Sequence, residues 1–138
     1  MIDQGYQKLE IYRCAHDLAI EVHAMSMLLP RHELYEQGSQ VRRSSKSVAA
    51  QIVEGFCLRR HKNEFLLYLH RAYASAEETV EHLDILHETG SLKNEVLFRT
   101  LRGRYEALCG MIYKFCQSVS TLHGVPYGVQ EDASSYGP

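Results

Sequence analysis

The chain has 138 residues, the usual size of a single domain with one buried core. Its formal net charge of −2 argues against a general binder of polyanions. The sequence contains no apolar stretch of about 18 residues, and its amino terminus lacks the basic-then-apolar layout of a signal peptide. We therefore expect a cytoplasmic protein that does not cross a membrane.

The first two predicted helices are separated by a proline. Apolar residues at helical spacing predict helix 1 over about residues 6–29, and Pro30 ends it because the residue before a proline is pushed out of the helical region. Helix 2 is predicted over about residues 34–58. Gly38 and Gly55 lie inside it, and glycine within a helix costs stability, so we expect both to mark close packing.

The second half of the chain predicts two more helices. Asn63 is the expected N-cap of helix 3, because its side chain can accept a hydrogen bond from the first turn. Gly90 is expected to end this helix in the left-handed conformation that glycine adopts readily. Helix 4 is expected to begin at Ser91 or Asn94 and to stop near Gly124.

Four amphipathic helices joined by short connections predict an all-α protein. The expected architecture is an antiparallel up-down-up-down, left-handed four-helix bundle, because each helix must bury one apolar face against its neighbours. We assign residues 1–124 to this bundle. Residues 125–138 are poor in apolar residues and rich in helix breakers, which predicts a flexible C-terminal tail.

A row of polar side chains runs along predicted helix 2. At about 100° per residue these positions form one narrow stripe beside the apolar face. The row consists of Gln40, Arg43, Ser47, Gln51 and Glu54. We expect it to face protein, because a solvated face tolerates almost any polar residue and would not need such strict spacing.

If helices 2 and 3 are antiparallel neighbours, the polar row should meet polar residues of helix 3. The expected pairs are Arg43 with Glu78, Ser47 and Gln51 with Ser75, and Glu54 with Arg71 or His70. A buried Arg43–Glu78 ion pair is therefore predicted, whose disruption would be severely destabilising.

The same segment resembles a known protein family. Residues 40–55 follow the pattern Q-x-x-R-x-x-x-S-x-x-x-N-I-x-E-G, and residues 72–78 follow A-x-G-S-x-x-E, except that Gln51 replaces the Asn and Ala74 replaces the Gly. These patterns resemble those of four-helix-bundle proteins encoded by intervening sequences of bacterial 23S ribosomal RNA genes, over about residues 6–122. The resemblance implies a ring-shaped homopentamer. A more distant resemblance, in fold alone, is to accessory proteins of diversity-generating retroelements, which bind nucleic acid and a reverse transcriptase.

Charge is segregated along the chain. Seven basic residues against Glu54 and Glu64 give residues 42–71 a net charge of +5, and six acidic residues against Lys93 give residues 72–95 a net charge of −5. The candidate phosphate contacts are Arg42, Lys46, Arg59, Arg60 and Lys62. A second basic run on helix 4 consists of Arg99, Arg102 and Arg104. Pairing between neighbouring helices, or interaction with a helix C-terminus, explains these charges equally well.

The sequence predicts no metal site, cofactor or catalytic residue. A di-iron bundle needs Glu-x-x-His on two helices, and the nearest equivalent is Asp84 with His87. Neither a phosphate-binding glycine loop nor a nucleophile elbow is present in the sequence. The four cysteines lack C-x-x-C spacing, so we expect them to be reduced and buried.

The leading functional hypothesis is a non-enzymatic, oligomeric protein that binds RNA or another nucleic acid through basic faces repeated around a homopentamer. The alternative is an interaction scaffold that docks a partner such as a reverse transcriptase, with which the acidic segment 72–95 is compatible. A small-molecule-binding bundle or an enzyme is the third and weakest hypothesis.

Overall fold

The computed structural model describes residues 5–121, and every regular element within them is a helix. The four α-helices are α1 (Glu10–Ser26), α2 (Gln37–Cys57), α3 (Lys62–Glu88) and α4 (Glu95–Ser120). Short 3-10 turns at Gly5–Lys8 and Arg31–Glu33 precede α1 and α2. The all-α prediction is confirmed. The predicted tail, residues 125–138, and the predicted end of helix 4 at Gly124 lie outside the described residues.

Each helix has two neighbours. α1 packs on α2, α2 on α3, and α3 on α4, and α4 returns to α1. Within residues 5–121, no close backbone approach joins α1 to α3 or α2 to α4. The four helices therefore follow one another around the core in chain order.

The core is built from one apolar stripe of each helix. Phe65 of α3 and Phe115 of α4 meet edge to face with ring centroids 5.9 Å apart, an arrangement that aromatic quadrupoles favour. Ile11, Ile52 and Leu108 are equally buried in the same core. Each fully buried side chain of this size contributes about 1.5–3 kcal/mol to folding.

The connection between α1 and α2 is longer than the sequence predicts, because α1 ends at Ser26 and a turn at residues 34–36 replaces the expected first turn of helix 2. The carboxylate of Glu33 is buried there and accepts hydrogen bonds from the Gln37 amide (3.2 Å) and the Ser91 hydroxyl (2.7 Å). Glu33 thus supplies an acceptor for the start of α2, where helix amides lack partners. It also joins this connection to the one between α3 and α4.

Two of the three predicted helix-terminus residues occupy the expected positions. Asn94 is the N-cap of α4, and its side-chain oxygen accepts from the Leu97 amide at 3.0 Å. Gly90 follows α3 with a φ of 82°, the left-handed conformation. The prediction for Asn63 was wrong, since the N-cap of α3 is His61, two residues earlier, which makes no side-chain cap hydrogen bond.

The two glycines inside α2 mark close packing, as predicted. A Cβ atom at Gly38 would lie 2.5 Å from the Glu33 carbonyl oxygen. A Cβ atom at Gly55 would lie 3.0 Å from the Tyr68 Cβ and 3.4 Å from the Phe65 ring. Gly38 therefore lets the connection fold back onto α2, and Gly55 lets α3 approach α2 closely.

The cysteines differ in burial. Cys109 and Cys116 are buried, as expected, whereas Cys14 is half-buried and Cys57 is exposed. Burial raises the pKa of the Cys109 thiol to about 12 and that of Cys116 to about 11, because a low-dielectric surrounding disfavours the thiolate. Among residues 5–121, no helix is both long enough and apolar enough to cross a membrane.

Candidate functional site

Hydroxyl groups bridge α2 and α3 along the polar row. Ser47 and Ser75 share a hydrogen bond of 3.0 Å, as predicted, and Ser44 and Thr79 share one of 2.8 Å. Thr79 also donates to the Ser75 carbonyl at 2.8 Å. Small hydroxyl side chains therefore fill the contact between these helices and satisfy one another there.

The predicted buried Arg43–Glu78 pair was wrong. Both residues are exposed, and the Glu78 carboxylate instead contacts His82 Nε2 at 3.1 Å. Ser44, one residue further along α2, faces α3, and a step of one residue turns the side chain by about 100°. Arg43 consequently points to solvent, which avoids the cost of burying a guanidinium.

The other members of the polar row remain apart from their predicted partners. Glu54 is exposed, and the guanidinium of Arg71 lies over the Tyr68 ring, 5.0 Å from its centroid. Gln51 is half-buried, and its side-chain oxygen has no hydrogen-bond partner within the described residues. Gln40 is exposed. Only the serines of the predicted network are joined.

Arg42, the first candidate phosphate contact, forms hydrogen bonds within the protein. Its side chain is half-buried and donates to the Ser26 hydroxyl at 3.0 Å and to the Leu34 carbonyl at 2.7 Å. These bonds join the end of α1 to the start of α2. Both acceptors are neutral, so the positive charge of Arg42 is held in place without being neutralised by them.

Arg59 and Lys62 are also held against the protein. Arg59 is buried, donates to the Phe56 carbonyl at 3.0 Å, and places its guanidinium 4.0 Å from the centroid of the Phe56 ring. Lys62 is half-buried, and its ammonium group donates to the Ser120 carbonyl at 2.8 Å. That carbonyl belongs to the last turn of α4, where a cation is favoured by the helix dipole.

The remaining two candidates, Lys46 and Arg60, are exposed. Lys46 borders a groove between α1 and α2, whereas Arg60 lies in the turn between α2 and α3. The structure therefore does not gather the five predicted cations into one exposed patch. Sequence could not reveal this, because an arginine that folds back on a carbonyl and one that points to solvent occupy the same helix positions.

The second basic run is neutralised within the chain. Arg102 donates to both Asp84 oxygens, at 2.7 and 3.1 Å, and to Glu106 at 2.6 Å. The hydrogen bonds to Asp84 and then to Glu106 raise the pKa of the Arg102 guanidinium. The other two ion pairs are Arg99 with Glu95 and Arg104 with Glu21. Pairing with acidic residues therefore accounts for this run.

The turn between α3 and α4 contains a contact that sequence reasoning missed. The His87 imidazole stacks on Phe98 with ring centroids 4.0 Å apart, and its Nε2 lies 3.2 Å from Glu95. Its Nδ1 lies 3.2 Å from the Leu92 carbonyl oxygen. His87 is thus a structural residue of the turn. Within residues 5–121, no three His, Cys, Asp or Glu side chains are grouped so that they could hold a metal ion.

Comparison with known proteins agrees with the motif and the helices. A family model described as 23S rRNA-intervening sequence protein matches residues 7–114. This range includes α1, α2, α3 and most of α4. No curated protein matches the chain.

Proposed function

The chain belongs to the family of 23S rRNA-intervening sequence proteins, and from this premise we propose that it is a non-enzymatic, cytoplasmic protein that binds RNA or another nucleic acid as a homopentamer. In this proposal each subunit is an antiparallel, left-handed, up-down-up-down bundle. The hydroxyl bridges support the antiparallel arrangement of α2 and α3, because the partner number falls from Thr79 to Ser75 as the α2 number rises from Ser44 to Ser47.

The observation that carries the proposal is the contrast between the two basic runs. The arginines of α4 are bound to carboxylates, whereas Arg43 of α2 is exposed and forms no ion pair within the described residues. Arg42, beside it, donates only to neutral oxygens there. The amino-terminal half of α2 therefore carries positive charge that is available to phosphate groups.

Assembly would strengthen a modest patch. One subunit has a net charge of −2, so its affinity for a polyanion rests on a local field and not on total charge. Repetition of the α2 surface in a ring would let one nucleic acid contact several subunits, and multivalent contact raises the overall affinity far above that of one site.

A second candidate function is an interaction scaffold that docks a basic partner, such as a reverse transcriptase. The acidic residues of α3 favour it. Asp84 is bound to Arg102, but Glu81 is exposed and forms no ion pair within residues 5–121. Glu78, three residues earlier, is also exposed beside His82.

Salt-titrated binding of the purified protein to structured RNA, duplex DNA and single-stranded RNA separates the two functions. If the proposal is correct, the logarithm of the association constant falls linearly with the logarithm of the salt concentration. The scaffold hypothesis expects no binding of any of the three. The absence of binding at about 50 mM salt would overturn the proposed nucleic-acid function.

Variants locate the interface. Arg43→Gln combined with Arg60→Gln removes one exposed charge from α2 and one from the turn after it, while the contacts of half-buried Arg42 and buried Arg59 stay in place. The double variant should reduce the salt slope by roughly 1 to 2. The matched control is Arg31→Gln with Lys93→Gln, two exposed cations elsewhere in the chain. If both double variants weaken binding equally, the contact is not on the α2 side.

A further inference from the structure

Two of the open grooves on the surface of the bundle each lie between two consecutive helices. The α1–α2 groove has a volume of about 460 Å³. It is lined by the small or apolar residues Ala19, Ile20, Ala24 and Ala49, and its rim carries His16, His23 and Lys46. Ile20 projects from this surface with 58% of its area exposed.

The α3–α4 groove has a volume of about 430 Å³ and a different character. It is lined by Tyr73, Glu77, Glu106, Cys109, Gly110 and Tyr113. The neighbouring Glu77 carboxylate raises the pKa of the Tyr73 phenol. Tyr113 is 56% exposed at the rim.

One of the two glycines in α4, Gly110, lines the second groove. Glycine in a helix interior is destabilising, so a helix that contains one usually needs the space. Within the described residues, a Cβ atom at Gly103 or Gly110 would meet nothing within 4 Å. Packing inside the chain therefore does not account for these two glycines, although it accounts for Gly38 and Gly55.

The grooves lie on opposite faces of the molecule. α1 and α2 are neighbours, α3 and α4 are neighbours, and no close approach joins the two diagonal pairs within residues 5–121. A surface formed by α1 and α2 therefore faces away from one formed by α3 and α4. Head-to-tail assembly requires two different, complementary surfaces on one molecule, and it closes into a ring when the rotation between subunits allows it.

We infer that the α1–α2 groove of one copy receives Tyr113 of a second copy, while the α3–α4 groove of the second copy receives Ile20 of the first. This inference rests on the homo-oligomer in the proposed function and names its subunit contact. Ile20 borders the α1–α2 groove of its own molecule, and Tyr113 borders the α3–α4 groove of its own molecule. When each side chain enters the groove of the other copy, both become buried.

Charge decides in favour of this pairing. Lys46 on the rim of the α1–α2 groove forms no ion pair within the described residues, and the opposing rim presents the Glu77 carboxylate. Contact between two α1–α2 grooves would instead set Lys46 against Lys46, and contact between two α3–α4 grooves would set Glu77 against Glu77. Like charges placed face to face suppress both symmetrical arrangements.

Charge reversal tests the contact in the full chain, with assembly measured by sedimentation velocity over a concentration series. Lys46→Glu and Glu77→Lys should each weaken assembly by about tenfold or more, because each creates a like-charge contact. The double variant Lys46→Glu with Glu77→Lys should assemble within about threefold of the wild type, since the pair is restored with its signs exchanged. Lys93→Glu and Glu54→Lys are matched single reversals of exposed residues outside both grooves, and should leave assembly unchanged.

A second variant separates loss of contact from loss of folding. Gly110→Leu fills the α3–α4 groove, and the open space around a Cβ at that position should leave the bundle folded. At a concentration where the wild type is dissociated, the thermal midpoint of this variant should equal or exceed that of the wild type. At higher concentration it should remain monomeric.

Zero-length carbodiimide cross-linking of the wild type identifies what lies against Lys46. An intermolecular Lys46–Glu77 link supports the contact. A link from Lys46 to Glu131 or Asp132 of the same molecule would show that the chain's own end occupies the groove, and would overturn it.

The outcomes distinguish this contact from the proposed function. An assembled wild type whose reversal variants assemble normally would overturn the contact alone. A wild type that stays monomeric at tens of micromolar would overturn both the contact and the homo-oligomer. The nucleic-acid interface is tested separately through Arg43 and Arg60, which border neither groove.

Discussion

The hydroxyl of Ser91 donates a hydrogen bond of 2.7 Å to the carboxylate of Glu33, although the two residues belong to different interhelical connections. The second Glu33 oxygen accepts the Gln37 amide at the start of α2. The buried Glu33 carboxylate therefore holds the start of α2 in place and joins the α1–α2 connection to the α3–α4 connection.

Replacing Glu33 should destabilise the bundle. Glu33→Ala removes the acceptor of two hydrogen bonds and should lower the free energy of unfolding by about 1–3 kcal/mol, while Ser91→Ala should cost about 1 kcal/mol. Urea denaturation measures both. In the double variant the two losses should not add, because both remove the same contact. Full additivity would show that Ser91 and Glu33 act independently, and exposed Glu36→Ala serves as the control.

Alanine at the glycines of α2 and α4 should have opposite effects. Gly38→Ala places a methyl group against the Glu33 carbonyl and should cost about 1–3 kcal/mol, as overpacking does. Gly103→Ala meets nothing within 4 Å and should gain about 0.5–1 kcal/mol from helix propensity. Thermal unfolding of the two variants at one low concentration gives the comparison. A Gly38→Ala variant as stable as the wild type would contradict the close approach at Gly38.

The neighbouring residues Arg42 and Arg43 should differ in their effect on stability. Arg42→Ala removes the bonds to Ser26 and Leu34 and should cost about 1–3 kcal/mol. Arg43→Ala removes an exposed side chain and should stay within about 0.5 kcal/mol of the wild type. Glu78→Ala should be similarly mild. Severe destabilisation by Arg43→Ala would restore the buried ion pair that the sequence predicted.

The cysteines should react with iodoacetamide in the order of their exposure. Cys57 should be alkylated first at pH 8, while Cys109 and Cys116 should stay protected until the protein unfolds. Mass spectrometry of the labelled peptides gives the order. Rapid alkylation of Cys109 in the folded protein would contradict its burial.

The same thiols predict how stability changes with pH. Their ordinary pKa of 9.0 is raised by burial in the folded state, to about 12 for Cys109 and about 11 for Cys116. The unfolded state therefore loses these protons first as the pH rises. The thiol contribution to stability should be complete below pH 9 and should decline above it, through about pH 11 to 12. Cys109→Ala with Cys116→Ala should show a smaller decline in urea titrations across this range.

Local signals were predicted well from the sequence. Asn94 caps α4 and Gly90 adopts its left-handed conformation because both depend on the few residues beside them. The Ser47–Ser75 bond was also predictable, since helical periodicity and the short turn fix the register of α2 against α3. The Asn63 prediction failed because α3 begins at Lys62, so that Asn63 already lies within the first turn of the helix.

The roles of the charged residues could not be predicted in the same way. Helical position places Arg42, Arg43 and Lys46 on adjacent turns but does not say which side chain folds back on the protein. That outcome depends on whether the Ser26 hydroxyl and the Leu34 carbonyl come within reach of Arg42, which the connection between α1 and α2 decides. Likewise, Arg102 is neutralised because α3 places Asp84 beside it.

The bond from Lys62 to the Ser120 carbonyl attaches the first residue of α3 to the last residue of α4. Helix ends ordinarily fray independently, and their amides exchange with solvent through separate local openings. Here the start of α3 supplies the donor, Lys62, and the end of α4 supplies the acceptor, the Ser120 carbonyl. When either terminus opens, the other loses its hydrogen-bond partner. Deuterium uptake in the first turn of α3 and in the last turn of α4 should therefore rise together in Lys62→Met, although 58 residues of sequence separate the two bonded groups.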